Sequence, residues 1–143
     1  MREIEFRAYI KDKKQIVDVI DINFMQETIG YMNKADTKYT YAYFKDIELM
    51  QYTGLKDKNG KKIYEGDIVK LKELNYNYEW TAIVEFGNPN SEYVWGWNLK
   101  PITKDVGWNL DILCWVEMPI GASCEIIGNI FDNPELLKEK QDE

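Results

Sequence analysis

The chain has 143 residues, of which 45% are hydrophobic and 14% aromatic, and it carries 18 basic against 25 acidic residues for a formal net charge of −7. A chain of this length buries roughly 68–70% of its unfolded surface, so it supports a sizeable core, and the expectation is one globular domain spanning residues 1–143. Its apolar content excludes a disordered chain, its longest apolar runs, such as Ile112 to Val116, fall far short of the roughly 20 residues that span a membrane, and its acidity disfavours sequence-independent binding to duplex DNA.

The opening residues MREIEFRAYI alternate apolar with charged side chains, the period of a half-buried strand, with Ile4 and Phe6 expected inward. They lack the apolar core of a secretory signal, so the expectation is a chain that starts at Met1 and resides in the cytoplasm. Residues 16–24 repeat the strand pattern through Ile16, Val19, Ile20, Ile22 and Phe24. Residues 28–38 are polar and without period, and read as an exposed loop. The following YTYAYFKDIELMQYTG is rich in tyrosine and β-branched residues and reads as strand.

Residues 54–70, GLKDKNGKKIYEGDIVK, resemble at first sight a loop that holds a ligand. A phosphate loop needs four residues between its glycines and a hydroxyl after the lysine; here five separate Gly54 from Gly60, and Lys62 stands at the hydroxyl position. A calcium loop fails as well, because its first and twelfth positions would be Leu55 and Gly66, neither a carboxylate. Asn59-Gly60 instead signals a two-residue type I′ hairpin, which pairs Lys58 with Lys61, Asp57 with Lys62, Lys56 with Ile63 and Leu55 with Tyr64. Glu65-Gly66-Asp67 reads as a second tight turn in which the Asp67 carboxylate accepts a nearby backbone N–H, and Ile68 and Val69 re-enter the sheet.

Trp80–Phe86, Tyr93–Leu99, Leu110–Met118 and Cys124–Phe131 all read as strands, separated by the turn-formers of residues 87–92 and 118–123. Many short strands at such intervals predict a mainly β fold, a small barrel or strongly twisted antiparallel sheet. Only the end reads as helical: Asn133 as N-cap, Pro134 as first helical residue, then a short acidic tail over residues 133–143. From Asp132 to Glu143 there are five acidic and two basic residues, as on a solvated face.

The chain contains no histidine, which excludes Ser-His-Asp and Cys-His catalysis and most zinc sites. Cys114 and Cys124 are ten apart with no Cys-x-x-Cys spacing and read as small core residues; together with carboxylates they leave a metal site conceivable, but none is assigned. Carboxylates and lysines fall in no catalytic motif. No catalytic residue, metal or cofactor is expected, and no ligand-binding residue is identified. Tyr76, Tyr78, Trp80, Trp95, Trp97 and Trp108 leave two alternatives open: core or subunit contact, or a platform that stacks single-stranded nucleic acid. Glu73, Glu79, Glu85 and Glu92 beside them oppose a phosphate backbone.

Three blocks, MREIEFRAY (Met1–Tyr9), LMQYTGLKDKNGKKIYEGDIVK (Leu49–Lys70) and EIIGNIFDNPELL (Glu125–Leu137), resemble the YopX family of phage and prophage proteins of Gram-positive bacteria. Tyr9 stands where a tryptophan is common in that family. The resemblance implies phage origin and residence in the host cytoplasm, and it supplies no catalytic or ligand residues to carry over. The expected function is that of a non-enzymatic β module acting through protein contacts or self-association, with single-stranded nucleic-acid binding as the alternative, an enzyme with a carboxylate/lysine site as the less favoured one, and no membrane contact.

Overall fold

The computed structural model describes residues 2–73, 75, 78–87, 96–103, 110–116 and 122–138, the side chain of Cys114 excepted. It divides into two compact units, Met1–Tyr52 and Thr53–Glu143.

The first unit contains β1 (Phe6–Ile10), β2 (Gln15–Asn23), β3 (Thr28–Met32), β4 (Tyr39–Tyr43), a 3₁₀ turn (Phe44–Asp46) and the beginning of β5 (Ile47–Lys56). All its pairings are antiparallel, in the order β4-β3-β2-β1-β5. The inward side is Ala8, Ile10, Val17, Ile29, Tyr31 and Ile47, joined by half-buried Val19, Ile22, Ala42 and Phe44. The phase expected of β1 is right but displaced along the chain: Phe6 is half-buried, whereas Ile4 precedes the strand and is exposed. In β2 a bulge at Ile20 reverses the alternation. Val17 and Val19 point inward before it, Ile22 after it, and Ile20 and Phe24 are exposed.

Residues 28–32, expected within an exposed loop, are instead the strand β3, and only residues 33–38 turn. Thr28, Ile29, Gly30 and Tyr31 are all buried. Its alternation, Ile29 and Tyr31 inward against Thr28 and Gly30, runs over only four residues before the exposed Met32 and the polar stretch that follows, too short to stand out in the sequence.

The second unit begins inside β5 and continues with β6 (Lys62–Tyr64), β7 (Asp67–Glu73), β8 (Tyr78–Phe86), β9 (Trp97–Pro101), β10 (Leu110–Asp111), a single helical turn α1 (Ile112–Val116), β11 (Ala122–Asn129) and a 3₁₀ turn (Pro134–Leu137). β6 pairs with β5, and a five-stranded antiparallel sheet runs β10-β9-β8-β7-β11. Both strand orders end on open edges, so the fold is mainly β with two antiparallel sheets and no closed barrel among the described residues. Ile63, Val69, Leu71, Ala82, Val84, Leu99, Ile112 and Cys124 form the core. Burying a side chain such as Leu71 or Ile63 stabilises by about 1.5–3 kcal/mol.

Three expectations are corrected here. Leu110–Met118 is not one strand: β10 ends at Asp111, whose carboxylate accepts the Leu113 N–H at 2.9 Å and starts the helical turn. The end of the chain is a 3₁₀ turn and not an α-helix, because the Asn133 side chain faces back to accept the Asn129 N–H at 3.2 Å and caps nothing ahead of it. The hairpin is not type I′. Gly60 has φ +80°, but Asn59 is not left-handed. Asp57 N–H donates to Lys61 C=O at 2.8 Å and Gly60 N–H to Asp57 C=O at 3.0 Å, the pattern of a three-residue loop with a glycine bulge.

The cause of that shift is the Asp57 carboxylate. One oxygen accepts the N–H groups of Asn59 and Lys61, each at 2.9 Å, and the other accepts the N–H of Ile126 in β11 at 3.0 Å. The Lys58 N–H donates to Cys124 C=O, and the Lys58 ammonium lies 3.2 Å from Glu125. The adjacent turn has the expected form: Gly66 is left-handed at φ +84°, and buried Asp67 accepts the Tyr64 N–H at 2.8 Å.

Replacing Asp57 with alanine strands three N–H donors, one of them on the edge strand β11, so Asp57→Ala should lower unfolding stability by about 3 kcal/mol or more in urea titrations. Asp57→Asn, which loses only the acceptor facing Ile126, should lower it by about half as much. A loss under about 1 kcal/mol for Asp57→Ala would remove this account.

Candidate functional site

In β4 the alternation YTYAY places Thr40 and Ala42 toward the core of the first unit and Tyr39, Tyr41 and Tyr43 on the opposite face. The three tyrosines are 56%, 62% and 46% exposed. A row of three large aromatic rings on the solvent side inverts the usual arrangement and singles this face out. Behind β4, Thr28 of β3 is opposite Tyr43, and Gly30 is opposite Tyr41. In β2, Asn23 is opposite Thr28 and Asp21 is opposite Gly30. The bulge at Ile20 is what brings Asp21 and Asn23 to this face, because it reverses the inward phase set by Val17 and Val19.

Gly30 leaves a gap in the middle row, and Tyr39 fills it. A Cβ at Gly30 would collide with the Tyr39 hydroxyl, which lies over the glycine and donates to Asp21 Oδ2 at 2.7 Å. That hydrogen bond raises the Tyr39 pKa above its ordinary value, helped by partial desolvation and the Asp21 charge. Tyr41 and Tyr43 meet edge to face with centroids 5.9 Å apart, and the Lys45 ammonium lies 5.7 Å from the Tyr43 ring. Asn23 Oδ1 accepts the Gln26 N–H at 3.0 Å. Asp21, Asn23, Gln26 and Thr28 with the three tyrosines line an open depression of about 680 Å³. Asp21 and Asn23 are engaged within the protein, and the depression is broad, which suits a macromolecular contact better than an enclosed small molecule.

A second depression, which also reaches Tyr41 and Tyr43, lies by Lys11, Lys13 and Tyr31. The Lys13 ammonium donates to the Tyr31 hydroxyl at 3.1 Å, and that bond raises the Lys13 pKa. It serves to satisfy the polar end of a tyrosine whose ring belongs to the core.

The aromatic residues singled out in the sequence lie in the second unit and divide differently. Trp80 and Trp97 pack against its core, with Trp80 5.6 Å from Trp115 and Trp97 4.9 Å from Phe86. Tyr78 is exposed on β8, while Tyr76, Trp95 and Trp108 lie outside the described residues, as does Glu92. Glu79 pairs with Lys70 at 3.4 Å across the β7–β8 ladder. The tyrosine face was missed in the sequence, although tyrosine at i, i+2 and i+4 with small residues between was the signal available.

The stretch that resembled a ligand loop uses its amides internally, since Asn59 and Lys61 donate to Asp57. Cys124 is buried, and its thiol pKa is pushed up to about 12 by burial, with the Asp57 and Asp67 charges adding to the effect. At neutral pH such a thiol stays protonated and unreactive. Among the described residues no group of three or more cysteines and carboxylates is placed to hold a metal ion, and no helix is long and apolar enough to cross a membrane.

Gly30→Ala should displace Tyr39 without unfolding the protein, because the backbone at Gly30 is not left-handed and the obstructions are the far ends of two side chains, Tyr39 and Asp21. Ultraviolet titration should then show one tyrosine moving to a lower pKa, with the circular dichroism spectrum unchanged. The sign follows from the raised folded pKa: the Tyr39–Asp21 bond contributes fully below the unfolded tyrosine pKa and is lost as pH rises through the folded value. Independently, in Cys114→Ser protein the single remaining thiol of Cys124 should react with a disulfide reagent at pH 8 only as fast as the protein unfolds. Rapid stoichiometric labelling of native protein would contradict its burial.

Among curated proteins none matches the chain. Solved structures do. The crystal structure of YopX from Bacillus subtilis superposes with a TM-score of 0.59 at 21% identity, and that of EF1440 from Enterococcus faecalis with 0.55 at 21% identity. Each alignment covers 96% of this chain and 100% of the other, so the fold is common to all three. The family model described as YopX protein matches residues 5–138, which takes in every element from β1 to the final 3₁₀ turn, and the chain therefore belongs to the YopX family.

Proposed function

We propose that this protein is a non-enzymatic binding module of the host cytoplasm, phage-encoded as its family resemblance implies, whose working surface is the Tyr39–Tyr41–Tyr43 face and whose partner is a protein. The observation that carries this reading is the trio of exposed rings on a regular strand. Tyrosine supplies large amphipathic contact area at small entropic cost and is enriched at protein interfaces. The Tyr39–Asp21 bond and the Tyr41–Tyr43 contact hold the rings in place before binding, which reduces the ordering cost of association.

Single-stranded nucleic acid is the second reading, favoured by the same rings and by Lys45 beside Tyr43. It is weakened by Asp21 on the face and by the net charge of −7. Catalysis has less support, since the depression gathers one carboxylate, Asp21, which is engaged by Tyr39.

Tyr41→Ser combined with Tyr43→Ser should abolish recovery of bound protein in affinity capture from host cells while leaving the circular dichroism spectrum unchanged. Unchanged recovery from the double variant would defeat the protein-contact reading. A fluorescent oligonucleotide whose anisotropy rises at low salt with wild type and not with the double variant would replace it with the nucleic-acid one.

A further inference from the structure

Among the described residues β4 has β3 as its one neighbour in the strand order, so its other side is an edge. The direction of its backbone groups follows from its two ends: Asn33 N–H donates to Lys38 C=O and Phe44 N–H to Glu27 C=O, each at 2.8 Å. Antiparallel ladders alternate, so residues 38, 40, 42 and 44 bond toward β3. The N–H and C=O groups of Tyr39, Tyr41 and Tyr43 therefore point outward along the edge. Edges are ordinarily protected by proline, by charge or by a bulge. β4 has none of these: it is uncharged, contains no proline and pairs with β3 in unbroken register.

The segment Tyr39-Thr40-Tyr41-Ala42-Tyr43 is also symmetric about its centre except for the exchange of two small residues. We infer that a second copy of this chain adds across the edge, antiparallel, with the two-fold axis at Tyr41. The inference rests on the reading of the tyrosine face as a protein-contact surface and names its partner. In this register Tyr41 is opposite Tyr41 of the copy, and Tyr39 is opposite Tyr43 of the copy. Each of these pairs consists of outward-bonding residues, so each exchanges both N–H···O=C bonds. A slip of one residue would set outward groups against inward ones and lose them all. On one face the rings of the two copies form a ladder, and on the other Thr40 meets Ala42 without crowding.

Two chains of net charge −7 meet along a strand that is itself uncharged, so no like charges are opposed within the joined strands. The area is small. Covering tyrosines that are about half exposed removes on the order of 100 Å² each, which leaves the interface below the roughly 1,200 Å² of standard stable complexes. The dimer is accordingly weak, with a Kd on the order of 10–100 μM.

Sedimentation velocity from about 5 to 500 μM, spanning that range, should show the wild-type weight-average mass rising toward twice the monomer. Tyr41→Asp, which sets two like charges opposite each other on an exposed strand, should stay monomeric with an unchanged circular dichroism spectrum. Register is read by cross-linking in the Cys114→Ser background. Opposed Cα atoms of a bonded antiparallel pair lie about 5.5 Å apart, within disulfide reach, so Tyr41→Cys should form a covalent dimer on mild oxidation and Tyr39→Cys should not. Wild-type protein that remains monomeric to 500 μM, or Tyr39→Cys that cross-links as readily as Tyr41→Cys, would overturn the inference. If the chain is monomeric yet the Tyr41→Ser, Tyr43→Ser variant still loses a captured protein, the join falls while the protein-contact reading stands. Monomeric protein with unchanged capture defeats both.

Discussion

The carboxylate of Asp57 is the constraint on which the arrangement of the second unit depends. A short loop between β5 and β6 leaves amides that need acceptors, and β11 brings the Ile126 N–H to the same place; one side chain of two oxygens serves all three. Because both oxygens are occupied, the loop conformation and the position of β11 are fixed together. The Lys58 N–H bond to Cys124 C=O and the Lys58–Glu125 ion pair add to the same attachment. An exposed ion pair of this kind contributes little by itself, whereas N–H groups bonded to a mostly buried carboxylate contribute considerably more. A parallel arrangement closes the far end of β11, where Asn129 accepts the N–H groups of Phe131 and Asp132, and Asn133 folds back over Gly128. Polar side chains that look available for chemistry in the middle and last blocks of the sequence are consumed in holding the backbone.

The first unit handles polar groups in a different manner. Its core is small, and Tyr31 contributes a ring to it while keeping a hydroxyl that Lys13 reaches from solvent. On its outer side, the glycine in β3 is a device for orienting a neighbour: without a side chain at Gly30, the Tyr39 hydroxyl extends over the glycine and reaches Asp21 two strands away. The result is an ordered aromatic surface beside an unprotected edge. Organisation of that kind on the solvent side does not follow from the demands of the core, and it is the basis for assigning the surface a role in contact.

Much of the strand content could be recognised from the chain itself. Alternation marked β1 and β2, β-branched and aromatic enrichment marked β4, β5 and β8, and Glu65-Gly66-Asp67 gave its turn with the carboxylate bonded as expected. The failures have separate physical causes. β3 alternates over only four residues, Thr28 to Tyr31, and merges with the polar stretch after it. Leu110–Val116 is apolar throughout, and a short apolar run does not distinguish strand from helical turn until Asp111 captures an amide. The Asn59-Gly60 pair favours a two-residue loop locally, but Asp57 offers its neighbours' amides a better acceptor arrangement, and the loop gains a residue. Of the two alternatives open for the aromatic residues of the second unit, Trp80 and Trp97 follow the core one, and what went unrecognised is that the exposed rings occur in β4.

By itself the sequence determined the fold class and the family, and the missing histidine removed whole classes of chemistry. These are legible because periodicity, turn residues and composition are local properties that each segment carries wherever it lies. Only the tertiary structure decided that the bulge at Ile20 turns Asp21 toward the tyrosines, that Gly30 makes room for Tyr39, and that β4 lies at an edge. Each of those facts depends on which strands become neighbours and in what register, and that is fixed by contacts between residues far apart in the chain.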